Sequence, residues 1–106
     1  MIDPGRLNRR LVLEEPVEAP DGAGGVTRSF ASVATLWAEV APLAARGEVI
    51  AGHLGATVTH RVLVRAGPDI TSRHRLRDGT RVFRIVSVRE REAGRLLEIH
   101  AEERVD

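Results

Sequence analysis

Cysteine is absent from this chain of 106 residues. That excludes a disulfide framework, a thiolate zinc site and a cysteine nucleophile together, and makes the reducing cytoplasm the expected place of folding. Tyrosine is missing too, and Phe30, Trp37 and Phe83 are the only aromatic residues, so the core has to be largely aliphatic. No apolar run approaches the about 18 residues that a membrane span needs. The opening Met1-Ile2-Asp3-Pro4-Gly5 places an acid and a proline where a secretory signal carries its basic and apolar regions. A soluble, unexported protein is expected. Lysine is also absent, since all sixteen basic residues are arginine. Arginine suits bidentate contacts to carboxylates and phosphates, and a GC-rich genome gives the same bias. A net charge of +1 lacks the cationic surplus on which avid nucleic-acid binding rests.

The length fits one domain, spanning 1–106, with no linker, repeat or low-complexity tract to divide it. Residues 1–8 lack periodicity and read as an arm. Residues 9–17 alternate, with Leu11, Leu13 and Val17 on one face and Arg10 and Glu14 on the other, which predicts a half-buried strand. Pro20-Asp21-Gly22-Ala23-Gly24-Gly25 is dense in turn formers and joins this strand to another at 26–30. A strand follows at 36–43, where Leu36, Ala38 and Val40 alternate with Trp37 and Glu39 and Pro42 ends the run. Residues 44–56 differ: Ala45, Val49, Ile50 and Leu54 have helical spacing, but Gly47 and Gly52 interrupt them at about 1 kcal/mol each. This stretch reads as a short, marginal helix on an excursion between strands.

Residues 57–65 alternate again, with Val58, Val62 and Val64 inward. Asp78-Gly79 is the strongest hairpin signal, set between 75–77 and a strand running from Val82 to Arg89. That strand is apolar on both faces, with Val82, Val86 and Val88 on one and Phe83 and Ile85 on the other, as expected of a strand covered on both sides. A turn at Ala93-Gly94 leads to residues 95–101, where Leu97, Ile99 and Ala101 align. The sum is an all-β fold: a small closed or partly open antiparallel β-barrel of about six strands, with one short helix in an excursion and an N-terminal arm. Closing into a barrel is how so small a chain best protects its edges.

No catalytic constellation emerges. His53, His60, His74 and His100 are widely spaced and form no compact ligand set; His60 falls on the valine face of its strand and reads as a core or barrel-rim residue. No serine sits in a G-x-S-x-G elbow. Glu14-Glu15 and Glu102-Glu103 are strand neighbours that point to opposite faces. Gly22-Ala23-Gly24-Gly25 lacks the Lys-Ser/Thr of a phosphate loop. Neither enzymatic activity, a metal nor a cofactor is expected. The run Arg73-His74-Arg75-Leu76-Arg77 is the best basic patch, either as a solvated hairpin or as a contact to an acidic neighbour or DNA. Trp37 and Phe83 sit among apolar neighbours and read as packing residues before base-stacking platforms.

The serial order of motifs resembles one family. Gly5-x-Leu7 and Arg9-Arg10-Leu11 are followed by Pro20-Asp21-Gly22-x-Gly24-Gly25-Val26 and Trp37-Ala38-Glu39-Val40-x-Pro42-Leu43. Then come Thr59-His60-Arg61-Val62, Ile70-Thr71, Asp78-Gly79-x-Arg81-Val82-Phe83-x-Ile85, Leu97 and Ala101-Glu102-Glu103. In this order they resemble the small head–tail joining proteins of long-tailed phages, also called head-completion or stopper proteins. The resemblance implies a non-enzymatic barrel that assembles as a ring, expected as a hexamer in the particle and as a monomer when isolated. The ring would sit in the neck below the portal and adaptor, seal packaged DNA in the head and dock the tail terminator or tail tube. Assembly would take place in the bacterial cytoplasm, with no membrane partner. The excursion at 44–56 would be the channel or gating loop, carrying Arg46, Gly47, Glu48, Gly52, His53 and Gly55. Subunit or neighbour-ring contacts would fall on Arg9, Arg10, Trp37, Arg73, Arg75, Arg77 and Phe83. Arg77 stands where family members often carry an aromatic before the Asp-Gly turn, which points that hairpin toward an acidic neighbour. The missing lysine fits a GC-rich host, and a prophage or gene transfer agent as source. The alternatives are a tail-side ring subunit such as a tail terminator, and a small nucleic-acid-binding β-barrel.

Overall fold

The computed structural model describes residues 4–43 and 57–104. A 3-10 turn at Pro4–Arg6 precedes six strands: β1 (Arg9–Pro20), β2 (Val26–Pro42), β3 (His60–Arg65), β4 (Arg75–Asp78), β5 (Arg81–Arg91) and β6 (Leu96–Arg104). They close into an antiparallel barrel in the order β1-β2-β3-β6-β5-β4. Among the described residues there is no α-helix. The excursion at 44–56, with its expected helix, lies outside the described residues. Its anchors are firmly placed: Pro42 pairs with His60, and the Leu43 amide donates to the Thr59 carbonyl at 2.9 Å.

Alternation in the strands fills the barrel. Leu11, Leu13, Val62, Val64, Leu76, Phe83, Ile85, Ile99 and their neighbours form one core, with Phe83 at 0% exposure as its aromatic member. Each such side chain contributes roughly 1.5–3 kcal/mol on burial. The Asp78-Gly79 signal produces the expected hairpin. Asp78 is the last paired residue, opposite Arg81, and the two-residue turn is Gly79-Thr80, with Gly79 at φ +62°. A positive φ at the first central residue is what a type II′ turn requires, and glycine takes it without strain.

Three expectations are corrected. The segments 26–30 and 36–43 are not two strands but halves of one 17-residue strand. Residues 31–35 hold no glycine or proline to stop it, only an irregularity. The register steps from Leu13↔Ala34 to Glu14↔Ser32, leaving Val33 as the extra residue. Val17, expected to be buried with Leu11 and Leu13, is 39% exposed, because it lies past the last β1–β4 pair at Glu14 and so beyond the barrel. In β5 a second bulge, with Val86 between Ile85↔Ala101 and Ser87↔His100, changes the inward phase. Phe83 and Ile85 face the core before it and Val88 packs on the core after it. The apparent two-faced pattern is thus met largely inside this one chain.

The barrel holds only part of β1 and β2. β4 pairs β1 only from Val12 to Glu14, and β3 pairs β2 only from Ala38 to Pro42. Residues 15–20 and 26–31 therefore continue outward as a two-stranded ribbon, and the molecule measures 52 × 29 × 25 Å along its principal axes. The ribbon and the excursion leave from opposite ends of β2.

Candidate functional site

The ribbon is tied to the barrel at its foot. Glu14, 5% exposed, accepts hydrogen bonds from Arg75 Nε at 2.7 Å and Arg77 Nε at 3.0 Å. The guanidinium of Arg75 also lies 3.7 Å from the ring centroid of Phe30, on β2. Strand register brings these groups together, because Glu14 lies opposite Arg75 in the β1–β4 pair. Burial pushes the Glu14 carboxyl up, but the hydrogen bonds and charges of the two arginines outweigh it and hold the group below its ordinary value of 4.5.

Beside this clamp lies a groove of about 360 Å³ on the outer face of β4, β5 and the end of β6. Phe30, Arg73, His74, Arg75, Arg84 and Arg104 are among the residues that line it, and no carboxylate does. Arg84 is 3.6 Å from Glu102. Arg73 and Arg104 have no carboxylate partner among the described residues. Beyond the groove, the ribbon tip is fixed by Asp21, whose Oδ1 accepts from the amides of Ala23 at 2.8 Å and Gly25 at 3.0 Å.

Two further ion-pair clusters brace the barrel. Glu98, 3% exposed, contacts Arg91 Nη1 at 2.6 Å, His100 Nε2 at 2.6 Å and Arg89 Nη2 at 3.3 Å. Desolvation raises its carboxyl, and these partners together hold it below the usual range. At the other cluster, Glu103 accepts from Arg81 Nε at 2.8 Å and Nη2 at 3.1 Å, while His60 meets Phe83 edge-on at 5.0 Å. His60 is 8% exposed, and its burial pushes its imidazole down. All three carboxylates are held ionised by arginine, the opposite of what a general acid needs. These clusters join strands.

The residues expected at contacts separate into four groups. Phe83 is withdrawn as a contact, because it is wholly buried in the core and offers no surface. Arg75 and Arg77 are committed to Glu14, and Arg9 pairs with Asp78. Arg73 alone of the hairpin cations is exposed and unpartnered among the described residues. Trp37 reverses its packing expectation: it is 56% exposed on the outside of β2, with Arg10 5.7 Å from its ring centroid. A shallow depression lined by Leu7, Asn8, Trp37 and Arg65 surrounds it. Arg46, Gly47, Glu48, Gly52, His53 and Gly55 lie outside the described residues. Sequence patterning missed Glu14 and Glu98, since a lone acid in an alternating strand carries no sign that two arginines will cover it.

The chain matches the family model described as phage head completion protein over residues 2–104. It is 38% identical to a chain in the virion of a native gene transfer agent particle, with 93% of this chain and 96% of that chain covered and a TM-score of 0.68. It is 25% identical to protein SF1141 from Shigella flexneri 2a, known as a solution structure, with 99% of both chains covered and a TM-score of 0.78. No curated protein matches it. A six-stranded closed barrel, the head-completion match along almost its whole length and the gene transfer agent relative agree, and the chain belongs to the phage head completion protein family.

Proposed function

We propose that this protein is a non-enzymatic subunit of the neck of a tailed phage or gene transfer agent particle. It forms a ring at the head–tail junction, retains packaged DNA in the head and presents a surface to which the tail attaches. The observation that carries this reading is the head-completion match over residues 2–104, seconded by the 38% identity to a chain of a gene transfer agent virion. The arrangement of the barrel agrees with it. The outward ribbon at one end of β2 and the exposed Trp37 offer separate surfaces to separate neighbours, as a ring within a stack of rings needs. The nucleic-acid alternative is weakened, because two of the three arginines in the 73–77 run are already paired with Glu14.

Within this reading the excursion at 44–56 serves as the channel gate. Its two ends are pinned by the Pro42–His60 pair, so it can be shortened without opening the barrel. The test is imaging of intact particles together with particles made without this protein. The expected result is barrel density between the adaptor and the tail, and heads that lose their DNA when the protein is missing. Density beside the tail tube alone would assign a tail-side ring instead. Complete, DNA-filled, tailed particles formed without the protein would refute the proposal. Deleting residues 47–55 should leave a folded barrel and leaking particles; retention of DNA by such particles would remove the gate.

A further inference from the structure

We infer that the arginine-lined groove at the foot of the ribbon is a docking site for an acidic protein segment, with carboxylates flanking an apolar side chain, borne by a different protein of the particle. The inference rests on the proposed neck role and gives one surface of the barrel its partner chemistry. It starts from strand register. Arg75, Arg84 and Glu102 lie in one row across β4, β5 and β6, and Arg77, Val82 and Arg104 lie in the next but one. Alternation turns both rows outward, opposite to the buried Leu76, Phe83 and Ala101. Phe30 reaches the same face from the ribbon, with the Arg75 guanidinium 3.7 Å from its ring centroid. The groove of about 360 Å³ continues along Phe30, Ser72 and Arg73 into a depression of about 630 Å³ against the ribbon.

The charges on this face do not cancel. Arg75 and Arg77 share Glu14, Arg28 pairs with Glu18, and Arg84 faces Glu102. Arg73 and Arg104 are exposed and have no carboxylate partner among the described residues. Six arginines against three carboxylates leave a surplus of three cations here, in a chain whose net charge is +1. Every carboxylate on the face is already paired, so the complement to Arg73 and Arg104 has to come from outside. The groove is also apolar in part. Val82 lies between Arg77 and Arg104 in register, and Phe30 covers Arg75; both are half-buried. A phosphate backbone leaves such surface uncovered, whereas an apolar side chain between two acids covers it while its neighbours meet the arginines. Opposed charges of this kind fix partner and register.

The test is made in assembled particles. Ser72, which lines both parts of the groove, is replaced by photoreactive benzoylphenylalanine, the particles are irradiated, and the joined peptide is sequenced. The expected result is an acidic segment of a different particle protein. In parallel, Arg73→Glu with Arg104→Glu should lower incorporation into particles by about tenfold or more. Its Tm should stay at the wild-type value, since neither arginine braces the fold. A protein present in particles whose crosslink falls on a second copy of this chain, on DNA or on a segment without carboxylates overturns the inference and leaves the head-completion role intact. So does the absence of any crosslink together with normal incorporation of the double variant. Salt-dependent binding of a DNA duplex by the purified protein, abolished by the same two substitutions, would reassign the groove to phosphate and overturn it too. Absence of the wild-type protein from particles is the separate result that overturns the neck role.

Discussion

Replacing Glu14 by Gln removes a charge while keeping the shape of the side chain, and it strikes the clamp that joins β1, β4 and the ribbon. The variant loses the charge component of two short hydrogen bonds, at 2.7 and 3.0 Å. Bonds to charged groups contribute about 1.5–3 kcal/mol each when well formed. The side chains of Arg75 and Arg77 are 32% and 39% exposed, so water recovers much of their solvation and the sum has to be discounted. A loss of about 2 kcal/mol at pH 7 remains, equivalent to roughly 8–12 °C in Tm for a domain of this size. Urea unfolding of wild type, Glu14→Gln and the exposed control Glu15→Gln measures it. The control should stay within about 0.5 kcal/mol of wild type. Because the folded carboxyl is held below 4.5, its contribution is present above that pH and is lost as pH falls through the depressed value. The gap between wild type and Glu14→Gln should therefore narrow in acid. A cost below about 0.5 kcal/mol at pH 7, or a gap unchanged in acid, would refute the clamp.

Truncating Phe83 to Ala should destabilise the barrel by about 3–5 kcal/mol, read by denaturant unfolding, because its ring is the largest fully buried side chain of the core. His60→Gln should flatten one part of the pH profile. The folded imidazole is held below 6.5, so wild type loses stability as pH falls below that value, and the variant should lose less in the same scan of Tm against pH. Trp37→Ala should leave Tm almost unchanged, since the indole is mostly exposed, yet reduce incorporation into particles. The single tryptophan also reports its own burial: its emission should be that of an exposed indole in the isolated protein and move to the blue in assembled particles.

Much of the barrel was legible because alternation is a local property. Leu11, Leu13, Val62, Val64, Ile99 and Ala101 were placed inward by period alone, and the 20–25 turn and the hairpin turning at Gly79-Thr80 by residue types suited to their backbone. Bulges are not local. Val33 and Val86 are ordinary strand residues, and only pairing with a neighbouring strand makes each one extra; beyond Val86, Val88 takes a phase that no one-dimensional pattern predicts. The continuity of β2 was hidden for the same reason, since residues 31–35 neither alternate clearly nor contain a breaker.

Composition and periodicity by themselves determined an aliphatic, disulfide-free, all-β domain without a catalytic constellation, and motif order pointed to its family. The tertiary structure alone decided which charges are free. Arg73, Arg75 and Arg77 are equivalent in a strand pattern, but the register of β4 against β1 sets two of them on Glu14 and leaves Arg73 in an open groove. It also decided that β1 and β2 outrun their neighbours. The extent to which a strand is paired depends on residues far away in the chain.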